Sequence, residues 1–373
     1  MIKQLHFKDK KFKIMQIADV QENAKVNPDS IKLIDLALER EQPDLVVFTG
    51  DQIMGYSPTF KKNPLASVNF TLSTILEPIL RRNVAFCVTF GNHDRDCGVS
   101  HEQQMLLYQS YPSFVDVLPN GDDLGTFSVQ IQNSEMTKNI FNIYVFDSNA
   151  KEEDGTYSPV FENQIQWYKD EREKIKAANG DYLPSIVFQH IPVPEFFDVI
   201  KQVKKGTKGS VEAFYDHANE FYVLHDETIA DGGFMGESPA APAVNSGQFE
   251  ALKEKGEVLG LFVGHDHNNS FVKNLDGIDL GYTQGAGFNT YGPGDKRGVR
   301  IFELDEDNLS QYQTRTLTMG ELCDFKPSNP VKEIIMTKLP TSIAEGKKLA
   351  IKVAAGVAAV AVGGKILSEM MKK

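Results

Sequence analysis

The sequence has few cysteines, a single tryptophan and no excess of positive charge, and these absences limit what the protein can be. Its three cysteines, Cys87, Cys97 and Cys323, have neither zinc-finger nor redox-motif spacing, so we expect reduced thiols in a reducing compartment. A formal net charge of −12 over 373 residues argues against a protein that coats nucleic acid. The N-terminal stretch MIKQLHFKDKKFKIMQ lacks the apolar segment of a signal peptide, and we therefore expect a cytoplasmic protein.

Long apolar runs are also missing, except near the C-terminus. The uninterrupted run from Val353 to Gly364 would be about 18 Å long as a helix, which is shorter than the ~30 Å hydrocarbon core of a bilayer. Lys352 and Lys365 flank the run, and their long side chains extend its reach. Two interpretations of residues 347–373 stay open: a helix that packs on its own domain or on a second subunit, and a membrane contact as an interfacial helix or a marginal tail anchor.

Six apolar, β-rich segments recur along the chain, and each ends on or carries a polar side chain able to bind metal. Their nearly continuous apolar character is typical of strands covered on both faces. Amphipathic helical patterns lie between several of them, including NPDSIKLIDLALEREQ with Asp29 or Ser30 as its N-cap, so the sequence predicts an α/β fold with a closing hairpin near residues 300–317. The segments are KFKIMQIAD, DLVVFTGD, NVAFCVTFGNHD, NIYVFDS, SIVFQH and VLGLFVGHDH.

The polar residues at these strand ends are carboxylates, amides and imidazoles, which are the usual protein ligands of divalent metals. Ligands of open α/β sheets bind beyond the carboxyl ends of the strands, so we expect these side chains to meet. Two metals that share a carboxylate lie ~3.5–4 Å apart and hold both oxygens of an in-line displacement. We predict one metal at Asp19, Gln21, Asp51 and His267, and a second at Asp51, Asn92, His190 and His265, with Asp51 as the bridge.

The motifs ADVQ, TGDQ, FGNHD, FQHIP and VGHDH, in this order, resemble the signature series of the calcineurin-like metallophosphoesterases. FQHIPVPEF and VNSGQFEAL are similar to the intracellular, purple-acid-phosphatase-like branch of that family. The resemblance implies an α/β four-layer sandwich, in which two mixed β-sheets are flanked by helices. We assign this domain to residues 1–325 and assign residues 326–373 to a linker and an apolar, Lys-flanked C-terminal helix.

The resemblance also implies a metal-dependent phosphoesterase, in which a metal-bridging hydroxide attacks a phosphate ester in line. His93 would assist the leaving group as a proton donor, and Asp94 would orient its imidazole. Two divalent ions bring four positive charges against two ligand carboxylates, so the centre would attract phosphate even on an acidic protein. The expected partner is a small phosphorylated substrate or a phosphoprotein, and no nucleic acid is expected.

Two residues depart from the family pattern. Gln21 stands where the family usually has histidine, and an amide oxygen is a harder and weaker donor than imidazole. We therefore expect Mn²⁺ first, with Mg²⁺, Zn²⁺ and iron as alternatives. Met54 stands where purple acid phosphatases have a tyrosine ligand, so we expect no tyrosinate-to-iron colour.

The glycine-rich segment YTQGAGFNTYGPGDKRG has two interpretations. It is either a loop that contacts the substrate, with Asn289, Tyr291 and Arg297 as candidate contacts, or only a tight turn.

Two other functions stay open at this point. A phosphodiesterase or nuclease of the same fold would need a basic groove, and no cluster of lysine and arginine lies near the motifs. A non-catalytic scaffold weakened at the first metal would agree with Gln21, but His93, Asp94 and every ligand of the second metal are present. The sequence predicts no oligomeric state.

Overall fold

The computed structural model describes residues 5–338 except 116, 118–119, 122 and 153–154. The helix predicted within residues 347–373 lies outside the described residues, so its two interpretations stay predictions. Among the helices of the described part of the chain, none has both the length and the apolar character that crossing a membrane requires.

Strands and helices alternate along most of the described chain, as the sequence predicted. The strands are β1 (Lys11–Ile17), β2 (Leu45–Thr49), β3 (Ala85–Thr89), β4 (Phe127–Gln132), β5 (Asn139–Val145), β6 (Ser185–Phe188), β7 (Lys201–Val203), β8 (Val211–Glu212), β9 (Phe221–Val223), β10 (Phe234–Met235), β11 (Val258–Val263), β12 (Asn269–Leu275), β13 (Ile278–Tyr282), β14 (Gly298–Asp305) and β15 (Tyr312–Thr318). The α-helices are α1 (Pro28–Glu41), α2 (Pro64–Leu80), α3 (His101–Gln109), α4 (Glu162–Asn179), α5 (Asp226–Ala230), α6 (Gln248–Lys253), α7 (Met319–Leu322) and α8 (Pro330–Lys338).

Two large mixed sheets form the body of the protein. The first has the strand order β15-β14-β1-β2-β3, in which β1, β2 and β3 run parallel and the predicted hairpin β14–β15 closes one edge. The second has the order β10-β12-β13-β11-β6-β5-β4, with a parallel centre at β13, β11, β6 and β5. A small antiparallel sheet, β7-β9-β8, is inserted between β6 and β11 in the chain.

Three apolar clusters separate four layers of structure. One lies between the first sheet and helices α1 and α2, and contains Ile34 and Phe48. The middle cluster joins the facing sides of the two sheets and contains Val47 from β2 and Ile143 from β5. The third packs the second sheet against α4 and α6. The layers follow the order helix, sheet, sheet, helix, which confirms the predicted four-layer α/β sandwich. The strands with nearly continuous apolar sequences are covered on both faces of their sheet.

Helix α1 begins earlier than its predicted cap. The side chain of Asn27, rather than Asp29 or Ser30, accepts the hydrogen bond of a first-turn backbone amide, that of Asp29, at 3.0 Å. Pro28 occupies the first helical position, where its fixed φ and missing N–H are tolerated, so the capping position falls on the residue before it. The predicted cap was therefore wrong by two or three residues.

The segment after β15 contacts the body of the protein. Ser328 donates both its amide and its hydroxyl to Asp29 Oδ2 at 2.8 Å. In α8, Glu333 pairs with the buried Arg297 at 2.7 Å. The domain boundary near residue 325 stays a prediction, and the first residues beyond it are bonded to α1 and to the segment before β14.

Candidate metal centre

All seven residues predicted as metal ligands lie in one buried cluster, at the carboxyl ends of strands from both sheets. Each is at most 8% exposed. The first sheet supplies those that follow β1, β2 and β3, and the second sheet supplies those that follow β6 and β11. In chain order they are Asp19 and Gln21, Asp51, Asn92, His190, and His265 with His267.

The backbone at this cluster is held in an unusual conformation. Asp19, Gln21, Asp51 and His265 all have left-handed φ angles, of 52°, 42°, 50° and 73°. Such angles cost of order 1–3 kcal/mol for a non-glycine residue and recur at functional sites. A side-chain carbon at Gly91 would overlap the Asp51 carboxylate, so only glycine permits this close approach of the β3 end to β2.

The cluster divides into two groups that share Asp51. In the first, His267 Nε2 lies 3.3 Å from Asp19 Oδ1, and Gln21 Nε2 donates to Asp51 Oδ2 at 3.1 Å. In the second, His190 Nε2 lies 3.5 Å from Asp51 Oδ2. Asn92 Oδ1 and His265 Nδ1 each lie 3.2 Å from the same His190 nitrogen. Asp19, Asp51 and His190, which the prediction assigns to different ions, also lie close together, so the identity of the metal ligands and their division between two ions stay predictions.

The donor set fits a pair of divalent cations. Asp19 Oδ1 and Gln21 Oε1 are buried oxygens that accept no hydrogen bond, and His267 Nε2 lies 3.3 Å from the first, so both oxygens are available to a cation. The Nδ1 atoms of His190 and His267 donate to the carbonyls of Thr49 and Tyr291, both at 2.9 Å. Each ring therefore presents Nε2 to the cluster, and metal-ligating histidines are usually oriented in this way.

The electrostatics of the cluster favour added positive charge. Burial alone lowers the pKa of the His190 imidazole, but the carboxylates of Asp51 and Asp19 outweigh it and raise that pKa to about 10. Burial likewise opposes the charged form of His267, yet Asp19 raises its pKa to about 9. His265 lies deep beside His190 and has its pKa held well below the usual range by burial and by that neighbour. Protons or divalent cations satisfy this demand for positive charge.

The role predicted for Asp94 is wrong, and its neighbour Asp96 takes that place. The Asp94 carboxylate accepts hydrogen bonds from the backbone amides of Asp51, Ile53 and Gly91 at 2.8–3.1 Å. The His93 ring instead has Nδ1 3.0 Å from Asp96 Oδ2. Asp94 thus fixes the loops around the cluster, because its buried position lies between three amides that need an acceptor.

A cavity of about 280 Å³ opens beside the cluster. Among the candidate substrate contacts, Tyr291 lines it, whereas Asn289 and Arg297 are buried, 3% and 0% exposed, and bonded to other parts of the protein. His93 and Tyr56 also line the cavity, with their ring centroids 4.7 Å apart.

Sequence reasoning missed several residues around this site. Asp96 has a recognisable signal, because it stands three residues after His93 in a helical turn. Four of the others have no motif of their own and line the cavity only through folding: Tyr157, Phe214, Tyr215 and Glu237. Asp266 lies within the VGHDH motif but was not among the predicted site residues.

Comparison with known proteins identifies the family of the chain. The family model described as calcineurin-like phosphoesterase matches residues 12–269. The chain belongs to this family of phosphoesterases, and the resemblance seen in its motifs is confirmed.

The chain is also similar to individual proteins with phosphatase names. It is 28% identical, over 81% of its length and 77% of the relative, to the "Probable inactive purple acid phosphatase 14" of Arabidopsis thaliana. It is 25% identical to "Phosphatase DCR2" of Saccharomyces cerevisiae, over 85% of this chain and 56% of that one. A crystal structure of a dimetal phosphatase from Danio rerio aligns with a TM-score of 0.49 at 16% identity, covering 82% of this chain and 98% of that one.

Proposed function

We propose that this protein is a metal-dependent phosphoesterase that hydrolyses the ester of a small phosphorylated substrate. The observation that supports it most is the buried cluster of seven residues, in which Asp19 Oδ1 and Gln21 Oε1 have no hydrogen-bond donor. Membership of a phosphoesterase family agrees with this proposal.

Asp19, Gln21, Asp51 and His267 would hold one divalent ion, and Asp51, Asn92, His190 and His265 the other. Such a pair supplies a nucleophile from water at neutral pH and neutralises charge on the phosphate. Because Gln21 offers an amide oxygen in place of an imidazole, we propose Mn²⁺ as the preferred ion.

His93 would act on the leaving group. It lines the cavity beside the cluster, and its Nδ1 is held by Asp96, which leaves Nε2 as the nitrogen that donates a proton. Burial lowers the pKa of this imidazole, but the carboxylates of Asp51 and Asp96 reverse the effect and raise it, which favours the proton-bearing form. Tyr56 packs edge-on against the ring and restricts its orientation.

The test is hydrolysis of an aryl phosphate by the full chain with added Mn²⁺. His93→Ala should lower kcat by about 10²–10⁴-fold, the usual contribution of a general acid. Metal content measured by mass spectrometry should stay at the wild-type level, because the His93 ring is not in the proposed ligand set. His225→Ala, at a histidine outside the cluster, is the matched control and should retain wild-type turnover. Activity that persists after complete chelation would contradict the proposal.

Two observations favour a second function. Gln21 weakens the donor set of the first ion, and a curated relative is named as a probable inactive phosphatase. The alternative is a scaffold that binds one ion without turnover. One tightly held ion per chain, with no hydrolysis of aryl phosphate in Mn²⁺, Zn²⁺ or Fe²⁺, would establish it.

A further inference from the structure

The cavity beside the candidate metal centre has an unusual chemical character. Five aromatic residues line it: Tyr56, Tyr157, Phe214, Tyr215 and Tyr291. Of the described residues that line it, none is lysine or arginine, while Glu237 and Asp266 contribute carboxylates. Away from the predicted metal ligands and His93, the described residues that line the cavity thus include no cationic side chain for a second anion of a substrate.

Glu237 is one of two acidic groups of this cavity, with Asp266, that no part of the proposed chemistry uses. It is 5% exposed, and its two oxygens accept hydrogen bonds from the Asn268 amide at 2.8 Å and the Tyr291 hydroxyl at 3.0 Å. Both donors are neutral. No lysine or arginine of the described chain forms an ion pair with Glu237. Burial raises the pKa of its carboxyl to about 7, and the neighbouring His267 opposes this shift. A buried carboxylate is stabilised most by a cation brought to it.

The aromatic rings that line the cavity differ in whether another side chain already contacts them. Tyr291 stacks on His267 at a centroid distance of 4.2 Å, and the exposed Lys151 contacts Tyr157. Tyr56 and Tyr215, by contrast, are 52% and 41% exposed at the rim. Aromatic faces attract cations through their quadrupole, and quaternary ammonium groups are bound in proteins by such rings.

We propose that the substrate is a small phosphate ester whose alcohol carries an ammonium group, with its cationic end between Glu237 and the rim tyrosines. This inference rests on the proposed function. The phosphate would lie at the metal cluster, and the cation would lie in the cavity beside it. An ester with additional phosphates would bring anions towards the carboxylate of Glu237, so the same cavity disfavours polyphosphates and nucleotides.

The decisive comparison uses two esters of the same shape. Phosphocholine carries a trimethylammonium group, and 3,3-dimethylbutyl phosphate carries a neutral tert-butyl group in its place. With the full chain and Mn²⁺, kcat/KM should be higher for phosphocholine by about tenfold or more, the scale of one desolvated cation–π contact. The kcat/KM for phosphoethanolamine, measured in parallel, shows whether the site prefers a primary or a quaternary ammonium group.

Three variants assign the preference to the charge of Glu237. Glu237→Gln keeps the shape of the side chain and removes its charge, so the ratio of the two kcat/KM values should fall towards one. Tyr291→Phe removes the hydrogen bond to Glu237 but keeps the carboxylate, and the ratio should persist. Glu250→Gln, at an exposed carboxylate on α6, is the matched surface control and should also keep the ratio.

Equal kcat/KM for the two esters in the wild type would overturn the inference, as would an equal loss of preference in Glu237→Gln and Tyr291→Phe. Calorimetric binding of the two esters gives a readout that does not need turnover, and the wild type should bind phosphocholine more tightly. Hydrolysis of an aryl phosphate without discrimination between the esters would refute this inference alone. Absence of hydrolysis of every ester would refute the proposed function, and calorimetry would then decide the cation site by itself.

Discussion

Gln21 is the residue at which this centre departs most from the family pattern. Its Nε2 donates to the Asp51 carboxylate, while its Oε1 is buried without a donor. The Gln21 side chain is therefore oriented so that Oε1, the atom able to bind a metal, accepts no hydrogen bond. A neutral amide oxygen is a weaker ligand than imidazole for Zn²⁺ and favours harder ions such as Mn²⁺.

Gln21→His should tighten Zn²⁺ binding at the first ion by roughly tenfold, the order of effect that changes in a metal's ligand environment produce. Histidine is among the residues that tolerate the left-handed φ found at position 21. Isothermal titration with Zn²⁺ and with Mn²⁺ measures the change, and the gain should be smaller for Mn²⁺. An unchanged Zn²⁺ affinity would mean that residue 21 does not ligate.

The two aspartates after His93 illustrate what residue-level reasoning misses. Asp94 and Asp96 are alike in sequence, and only the helical turn that begins at Asp94 brings Asp96 beside the imidazole. The same turn directs Asp94 inward to three backbone amides. The residue types were therefore predictable from the sequence, but their roles depended on a local turn.

At the scale of elements, α8 is connected to the candidate metal centre through Arg297. The buried guanidinium donates to the carbonyls of Gly287 at 2.7 Å and Thr290 at 3.0 Å, and it pairs with Glu333 of α8 at 2.7 Å. Tyr291, within the segment that Arg297 holds, provides the carbonyl that orients His267. A helix of the predicted tail thus stabilises a loop of the site.

Glu333→Gln should lower the free energy of unfolding by about 3 kcal/mol, because it leaves the buried Arg297 charge without its carboxylate. Urea unfolding followed by circular dichroism measures the loss. Glu39→Gln, at an exposed carboxylate of α1, is the control and should change stability by less than about 0.5 kcal/mol. Equal unfolding free energies for Glu333→Gln and wild type would show that this ion pair contributes nothing.

At the scale of the whole molecule, the candidate centre joins the two sheets. Asp19 and Asp51 come from the first sheet, and His190 and His267 from the second. Ligand atoms of Asp19, Asp51 and His190 lie within 4.8 Å of one another. A cation bound there would link the two halves of the sandwich and would stabilise the folded state only.

Saturating Mn²⁺ should therefore raise the Tm. At a free concentration of about 100 times Kd the stabilisation is about 2.7 kcal/mol, or roughly 5 °C for a domain of this size. Differential scanning calorimetry with Mn²⁺ and then with excess chelator measures the difference. Asp51→Asn, which keeps the shape of the bridging residue but not its charge, should remove most of the shift. A Tm that is insensitive to both additions would argue against a metal centre between the sheets.

The sequence by itself determined the class of fold and the residues of the cluster. Apolar strands that end on carboxylate, amide and imidazole side chains are local patterns, and the carboxyl ends of strands in such sheets meet at one edge. Only the tertiary structure decided which carboxylate faces His93 and which side chains surround the cavity. Tyr157, Phe214, Tyr215 and Glu237 are distant from the motifs in the chain and have no pattern of their own. Their approach to the cluster results from the packing of connecting segments, which local sequence does not encode.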